Sequence, residues 1–117
     1  MKIKIDMKIK IATDFSRTPG ARFLEEGDFS GQEFRQQILL PKIKEAITKK
    51  ERLEIDLDGT AGLGTSFLEE SFGGLIRINK LAYQTIIDTL IFISDDDPDY
   101  IDEIKNYLKD AYEKELE

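Results

Sequence analysis

The chain has 117 residues, 17 Lys and Arg against 24 Asp and Glu, no His, Cys or Trp, and a formal charge of −7. Without His or Cys it can build no Ser-His-Asp triad, thiol nucleophile, disulfide framework or Cys/His zinc site, so any catalysis would run on carboxylates, hydroxyls, Lys or a bound metal. The length suits a single domain over residues 1–117, burying roughly two-thirds of the surface its unfolded chain exposes.

No apolar stretch approaches the ~20 residues needed to cross a bilayer, and the opening MKIKIDMKIKI alternates charge with Ile instead of showing a signal-peptide apolar region. A soluble, cytoplasmic protein without membrane association is expected. Nucleic-acid binding is not, because affinity for a phosphate backbone comes from Lys and Arg. Residues 1–58 carry 12 basic and 11 acidic side chains, net +1, whereas residues 59–117 carry 5 and 13, net −8. The acidic half reads as solvated helix faces or, alternatively, as a surface for a basic partner.

In chain order, the two copies of KIKI at 2–5 and 8–11 have the period-two alternation of a half-buried strand, predicted over residues 2–13 as one long strand or a bent pair. Thr18-Pro19-Gly20 is a turn signal, after which Ala21–Leu24 returns as a second strand of a hairpin. Ser30-Gly31-Gln32-Glu33 fits a capping box opening a helix to about Lys49, which Pro41 must kink or split. Arg52–Leu57 alternates strictly, and its Glu54 and Asp56 predict a sheet with one face partly open. After Asp58-Gly59 and a loop of small residues, Ser66 and Glu69 repeat the capping-box pattern. Phe67, Leu68, Phe72, Leu75 and Ile76 supply that helix's buried stripe, and Gly73-Gly74 weakens its end. A short helix over about 79–88, an apolar strand Leu90–Ile93 and a final helix opened by Asp97-Pro98 complete the chain. The expected fold class is α/β: a small mixed sheet of about four strands with about four helices, in the order ββαβααβα.

Two constellations could carry chemistry. Asp56-Leu57-Asp58-Gly59-Thr60 at a strand end resembles the first motif of haloacid-dehalogenase-like phosphatases, which implies Asp56 as nucleophile, Asp58 as general acid-base and Mg²⁺ completed by acids such as Asp95-Asp96-Asp97. The competing reading makes Asp58-Gly59 a strand-ending turn and leaves Asp97 and Asp99 to cap a helix. Gly62-Leu63-Gly64-Thr65-Ser66, between strand and helix, has the general form of a phosphate-binding turn without a Walker Lys. There Thr65 and Ser66 sit where a phosphoryl group would meet a helix N-terminus, unless one of them simply caps the helix.

The order strand, strand, capped helix, strand, loop, helix is similar to the STAS domain of anti-sigma-factor antagonists and sulfate transporters. In that pattern Ile55-Asp56-Leu57-Asp58-Gly59 matches the strand, Thr65 and Ser66 match a serine pair of which the first is phosphorylated, and Leu68 matches a Leu. More closely, Phe15–Gly20, Gly27–Arg35 and Asp56–Gly74 resemble the bacterial STAS-like family of unknown function. The chain departs from the antagonists at Gly64, which stands in place of Asp, and at Phe67 and Glu69, which stand in place of Gly. The resemblance implies a small regulatory module, non-catalytic and without a cofactor, that binds a protein. It also implies a histidine-kinase-like ATPase as partner and phosphate source. The loop and helix expected to bind are Asp58, Gly59, Gly62, Gly64, Thr65, Ser66, Glu69 and Glu70. Arg17, Arg22 and Arg35 are candidate anion contacts, with ordinary salt bridges as the competing reading. The Lys/Ile strand could pair two copies into a homodimer.

Overall fold

The computed structural model describes residues 7–117. Alternation decides its sheet. In β1 (Met7–Lys10) Met7 and Ile9 are buried while Lys8 and Lys10 are exposed, and in β2 (Leu53–Asp56) Leu53 and Ile55 are buried while Glu54 and Asp56 are half-buried. The third strand, β3 (Leu90–Ile93), completes the order β1-β2-β3, and both pairings are parallel. Met7 lies level with Leu53 and Leu90, and Ile9 with Ile55 and Phe92, so these rows share the core face. The opposite face carries Lys8, Lys10, Glu54 and Asp56, with Lys10 Nζ 3.9 Å from the Asp56 carboxylate. This is the half-open face expected from Glu54 and Asp56.

Parallel strands need long crossovers. The first runs through a single turn α1 (Ile11–Asp14), a loop and the helix α2 (31–49). The second runs through α3 (65–77) and α4 (Tyr83–Thr89), and α5 (Asp99–Glu115) packs last. The described chain therefore has three parallel strands and five helices, where a mixed sheet of about four strands and four helices was expected. Two differences account for this. The strand predicted over residues 2–13 is only Met7–Lys10 among the described residues, because the Asp14 carboxylate accepts the Lys10 N–H at 2.8 Å and the chain coils into α1; residues 2–6 of that expectation lie outside the described residues. Ala21–Leu24 is not a strand. The carbonyls of Ala21 and Arg22 instead accept the N–H groups of Gly31 and Gln32 at 2.9 and 3.0 Å, satisfying donors that the first turn of α2 would otherwise leave unpaired.

The Ser30 hydroxyl caps α2 as expected, accepting the Glu33 N–H at 3.0 Å. Pro41 does not split the helix. The turn before it, Arg35–Leu39, widens into a π-turn in which the Leu40 N–H donates to the Arg35 carbonyl, and the helix continues to Lys49. In α3 the second expected cap is absent. Gly64 occupies the N-cap position without a side-chain cap, and Thr65 and Ser66 are the first two helical residues. The helix α3 does not end at Gly73-Gly74, and both glycines are buried inside it as it runs on to Arg77. The helix expected over about 79–88 starts at Tyr83, after Lys80 turns the chain with a φ of 60°. The last helix starts at Asp99 with Pro98 in the N-cap position, one residue later than expected, so Asp97 is not its side-chain cap; its carboxylate accepts the Asp99 N–H at 3.1 Å just ahead of the helix.

On the core face, Phe15, Phe34 and Phe67 form one aromatic cluster with ring centroids 5.3–6.1 Å apart, and Phe72 packs edge-on against Phe92 of β3. Burial of these rings fixes α2 and α3 against the sheet.

Candidate functional site

The three loops that follow the strands lie at one end of the sheet, the end where α/β folds place their ligands. Asp58, two residues past β2, ties two of them together: its carboxylate accepts the N–H of Asp95 at 3.1 Å and of Asp96 at 2.8 Å, while the Gly59 N–H donates to the Asp96 carboxylate at 2.9 Å. Gly59 needs its missing side chain, because φ is +92° there and a Cβ would press on Ala12. The Ala61 N–H donates to the Arg17 carbonyl at 2.7 Å, and the Leu63 N–H donates to the Tyr100 hydroxyl at 3.1 Å. Leu63 is buried, while Ala61, Gly62, Gly64, Thr65 and Ser66 around it are exposed. The loop is thus anchored at 58, 59, 61 and 63 and presents two hydroxyls on the first turn of a 13-residue helix.

Below that turn lies a network of ion pairs joining α2, α3 and the 20–29 loop. Glu69 pairs with Arg22 and Arg77, and Glu70 pairs with Arg35 and, at 2.9 Å, with Arg77. Arg35 and Glu70 are 2% and 3% exposed. Burial alone would push the Glu69 carboxyl up, but the hydrogen bonds and charges of Arg77 and Arg22 outweigh it and hold the pKa below the ordinary value. Arg22 also reaches toward the start of α3, with its Nη2 donating to the Ser66 hydroxyl at 3.4 Å. Four of the expected residues therefore sit differently from a free surface, Glu69 among them because Arg22 and Arg77 hold it. Arg35 and Glu70 meet each other in the interior, and Arg22 already has Glu69 as its anion. Arg17 is exposed and makes no ion pair among the described residues.

Sequence reasoning missed Arg77, the two glycines and Tyr100. Arg77 had a signal, since it stands seven and eight residues after Glu70 and Glu69, two turns along the same helix face. Gly74 is where it is because a Cβ would run into the Arg35 guanidinium, and Gly31 because a Cβ would run into the Phe67 carbonyl oxygen. Those glycines let the π-turns of α2 and α3 come close enough for Arg35 to meet Glu70. No local pattern marks such a contact.

The phosphatase reading requires Asp56, Asp58 and Asp95–Asp97 to offer carboxylates to one ion. The two segments do adjoin, but the Asp56 carboxylate accepts the Asp58 N–H at 2.9 Å and both Asp58 oxygens accept backbone N–H groups. Among the described residues no three carboxylates form a group that could hold a metal. The arrangement is that of a clamped turn.

A family model for a STAS-like domain of unknown function matches residues 30–100, which span α2, β2, the clamped loop, α3, α4, β3 and the start of α5. The chain belongs to this family. No curated protein and no solved structure matches it. The STAS-like match covers both the loop and the Arg35–Glu70 pair, so the family's segment and the site coincide. Among the described residues no helix is long and apolar enough to cross a membrane.

Proposed function

We propose that this STAS-like domain is a non-catalytic regulatory module that binds a protein partner through the 58–66 loop and the start of α3. The observation that carries this reading is the contrast within the loop. Its backbone is held at Asp58, Gly59, Ala61 and Leu63, while the side chains of Thr65 and Ser66 face solvent at a helix N-terminus. A rigid loop with exposed tips loses little conformational entropy on binding.

Thr65 or Ser66 is the phosphoacceptor in this proposal, and a histidine-kinase-like ATPase is the partner. The hydroxyl oxygen takes the γ-phosphoryl group of ATP, the bond from that phosphorus to the β-phosphate oxygen breaks, and the hydroxyl proton leaves with ADP as the other product. The phosphate adds between one and two negative charges beside the unpaired N–H groups of the first turn of α3. It also competes with Glu69 for Arg22, which already contacts Ser66. The outer surface of the loop and the pairing of Arg22 then change together.

The test uses the purified chain as bait in a lysate of its host, with and without ATP, followed by mass spectrometry of bait and retained proteins. The expected result is one retained ATPase, lost with the exposed-site variant Ala61→Arg, and a bait phosphorylated at Thr65 or Ser66 only when ATP is present. Retention that ignores Ala61→Arg would end the loop assignment, and an unmodified bait beside a retained ATPase would end the switch.

A further inference from the structure

A second surface lies off the loop. Between the 20–29 loop, the end of α3 and the last turns of α5 runs an open groove of about 860 Å³. Its apolar contacts are unusual for exposed positions: Phe23 is 40% and Ile78 54% exposed, and both line it. The opposing wall is acidic. Asp110, Glu113 and Glu117 line it, spaced three and four residues apart, and none makes an ion pair among the described residues. Lys114 is the cation among them. The guanidiniums of the floor are not free to answer these acids, because Arg22 and Arg77 are engaged with Glu69 and Glu70, and the further wall acid, Glu115, is held by Lys80 at 2.9 Å. Tyr107, which lines the groove, feels the same field: burial first, then the carboxylates of Glu103, Glu69 and Asp110, raise its phenol pKa against the opposing pull of Arg22.

Unpaired carboxylates on the last helix and two partly exposed apolar side chains lining the same groove are complementary to a cationic segment with an apolar anchor. We propose that this groove takes a Lys/Arg-bearing amphipathic helix of a partner protein, its apolar residue seated between Phe23 and Ile78 and its cations on Asp110, Glu113 and Glu117. The stretch Tyr107–Lys114 is about 10 Å long at 1.5 Å per residue, enough to face two turns of such a helix. Docking here needs no phosphate on Thr65 or Ser66, and it stands whether or not the 58–66 loop binds the ATPase.

The test is a titration of the isotope-labelled full chain, followed by amide chemical shifts, with a synthetic Lys/Leu amphipathic helical peptide and with a Glu/Leu peptide of the same length and pattern. The expected shifts concentrate in residues 22–24, 77–79 and 107–117 with the Lys/Leu peptide alone. Ile78→Ser and the pair Asp110→Asn/Glu113→Gln each weaken binding by about tenfold, while Asp99→Asn/Asp102→Asn, which removes equal charge at the other end of α5, changes it less than about twofold. All five positions are exposed, and unchanged circular dichroism checks that the variants fold. Equal weakening by the two neutralised pairs would reduce the effect to general attraction and overturn the proposal. So would binding of the Glu/Leu peptide, or light scattering showing that a second copy of the chain fills the groove.

Discussion

The carboxylate of Glu70 and the guanidinium of Arg35 meet in the interior, each belonging to a π-turn of a different helix, and Arg35 Nη1 donates in addition to the Glu70 carbonyl at 2.6 Å. The two partners are not equivalent. Glu70 keeps a second cation in Arg77, whereas Arg35 has no other carboxylate among the described residues, and its Nε is buried without a hydrogen-bond partner. Glu70→Leu should therefore cost more than Arg35→Met. Stranding a buried charge costs about 3–5 kcal/mol, and the double variant should recover much of that because neither charge is then left inside. Urea unfolding of the three variants checks the order, and equal losses for the two single variants would contradict it.

Two glycines make that meeting sterically feasible. In a helix, Gly→Ala ordinarily stabilises by about 1 kcal/mol. Gly74→Ala and Gly31→Ala should do the opposite, losing about 1–3 kcal/mol through overpacking, since the new methyl meets the pinned Arg35 guanidinium in one case and the Phe67 carbonyl in the other. Thermal unfolding followed by circular dichroism reads the sign, and a gain in either variant would contradict the packing described.

Glu69 sets an acid limit. Its pKa is lowered in the folded protein from an ordinary value of 4.5, so the unfolded chain takes up the proton first as pH falls. The stabilisation is complete above 4.5 and is lost as pH drops through the folded value. Glu69→Gln should remove this component, giving a shallower loss of stability below pH 4.5 than the native protein shows. Urea midpoints measured on both proteins across that range test it, and parallel profiles would count against the Arg22–Glu69–Arg77 pairing.

Asp58 clamps the loop after β2 to the loop after β3. Asp58→Ala removes the acceptor of two backbone N–H groups and should cost about 1.5–3 kcal/mol, with faster hydrogen exchange at Asp95 and Asp96. Turnover of a simple phosphate ester that Asp56→Asn abolished would instead revive the phosphatase reading.

The sheet was legible where alternation was strict. Ile9, Leu53 and Ile55 alternate with charged residues and lie on the core face, and Glu54 and Asp56 lie on the half-open one. The Ser30 cap was legible for the same reason, because a cap depends on residues within one turn, whereas the last helix takes Pro98 as its N-cap in place of the expected Asp97. The second strand failed because Ala21 and Arg22 take their partners from the start of α2, ten residues on in each case, which no period-two pattern encodes. Ser66 failed as a cap because Gly64 and Thr65 already begin the helix, and Glu69 is drawn to Arg22 and Arg77 instead. The site's exposed loop was visible as a run of small residues. The buried network beneath it was not, because Arg35 and Glu70 are 35 residues apart and come together through two glycines that resemble helix breakers.

The most direct measurement of the central proposal is the dissociation constant of the retained ATPase for the native chain against Thr65→Glu/Ser66→Glu, both residues being exposed and circular dichroism checking that the variant folds. A module that binds through this loop and is switched there predicts a change of about tenfold or more, since each substitution puts charge at the start of α3 beside Arg22. Equal affinities for the two chains would contradict it.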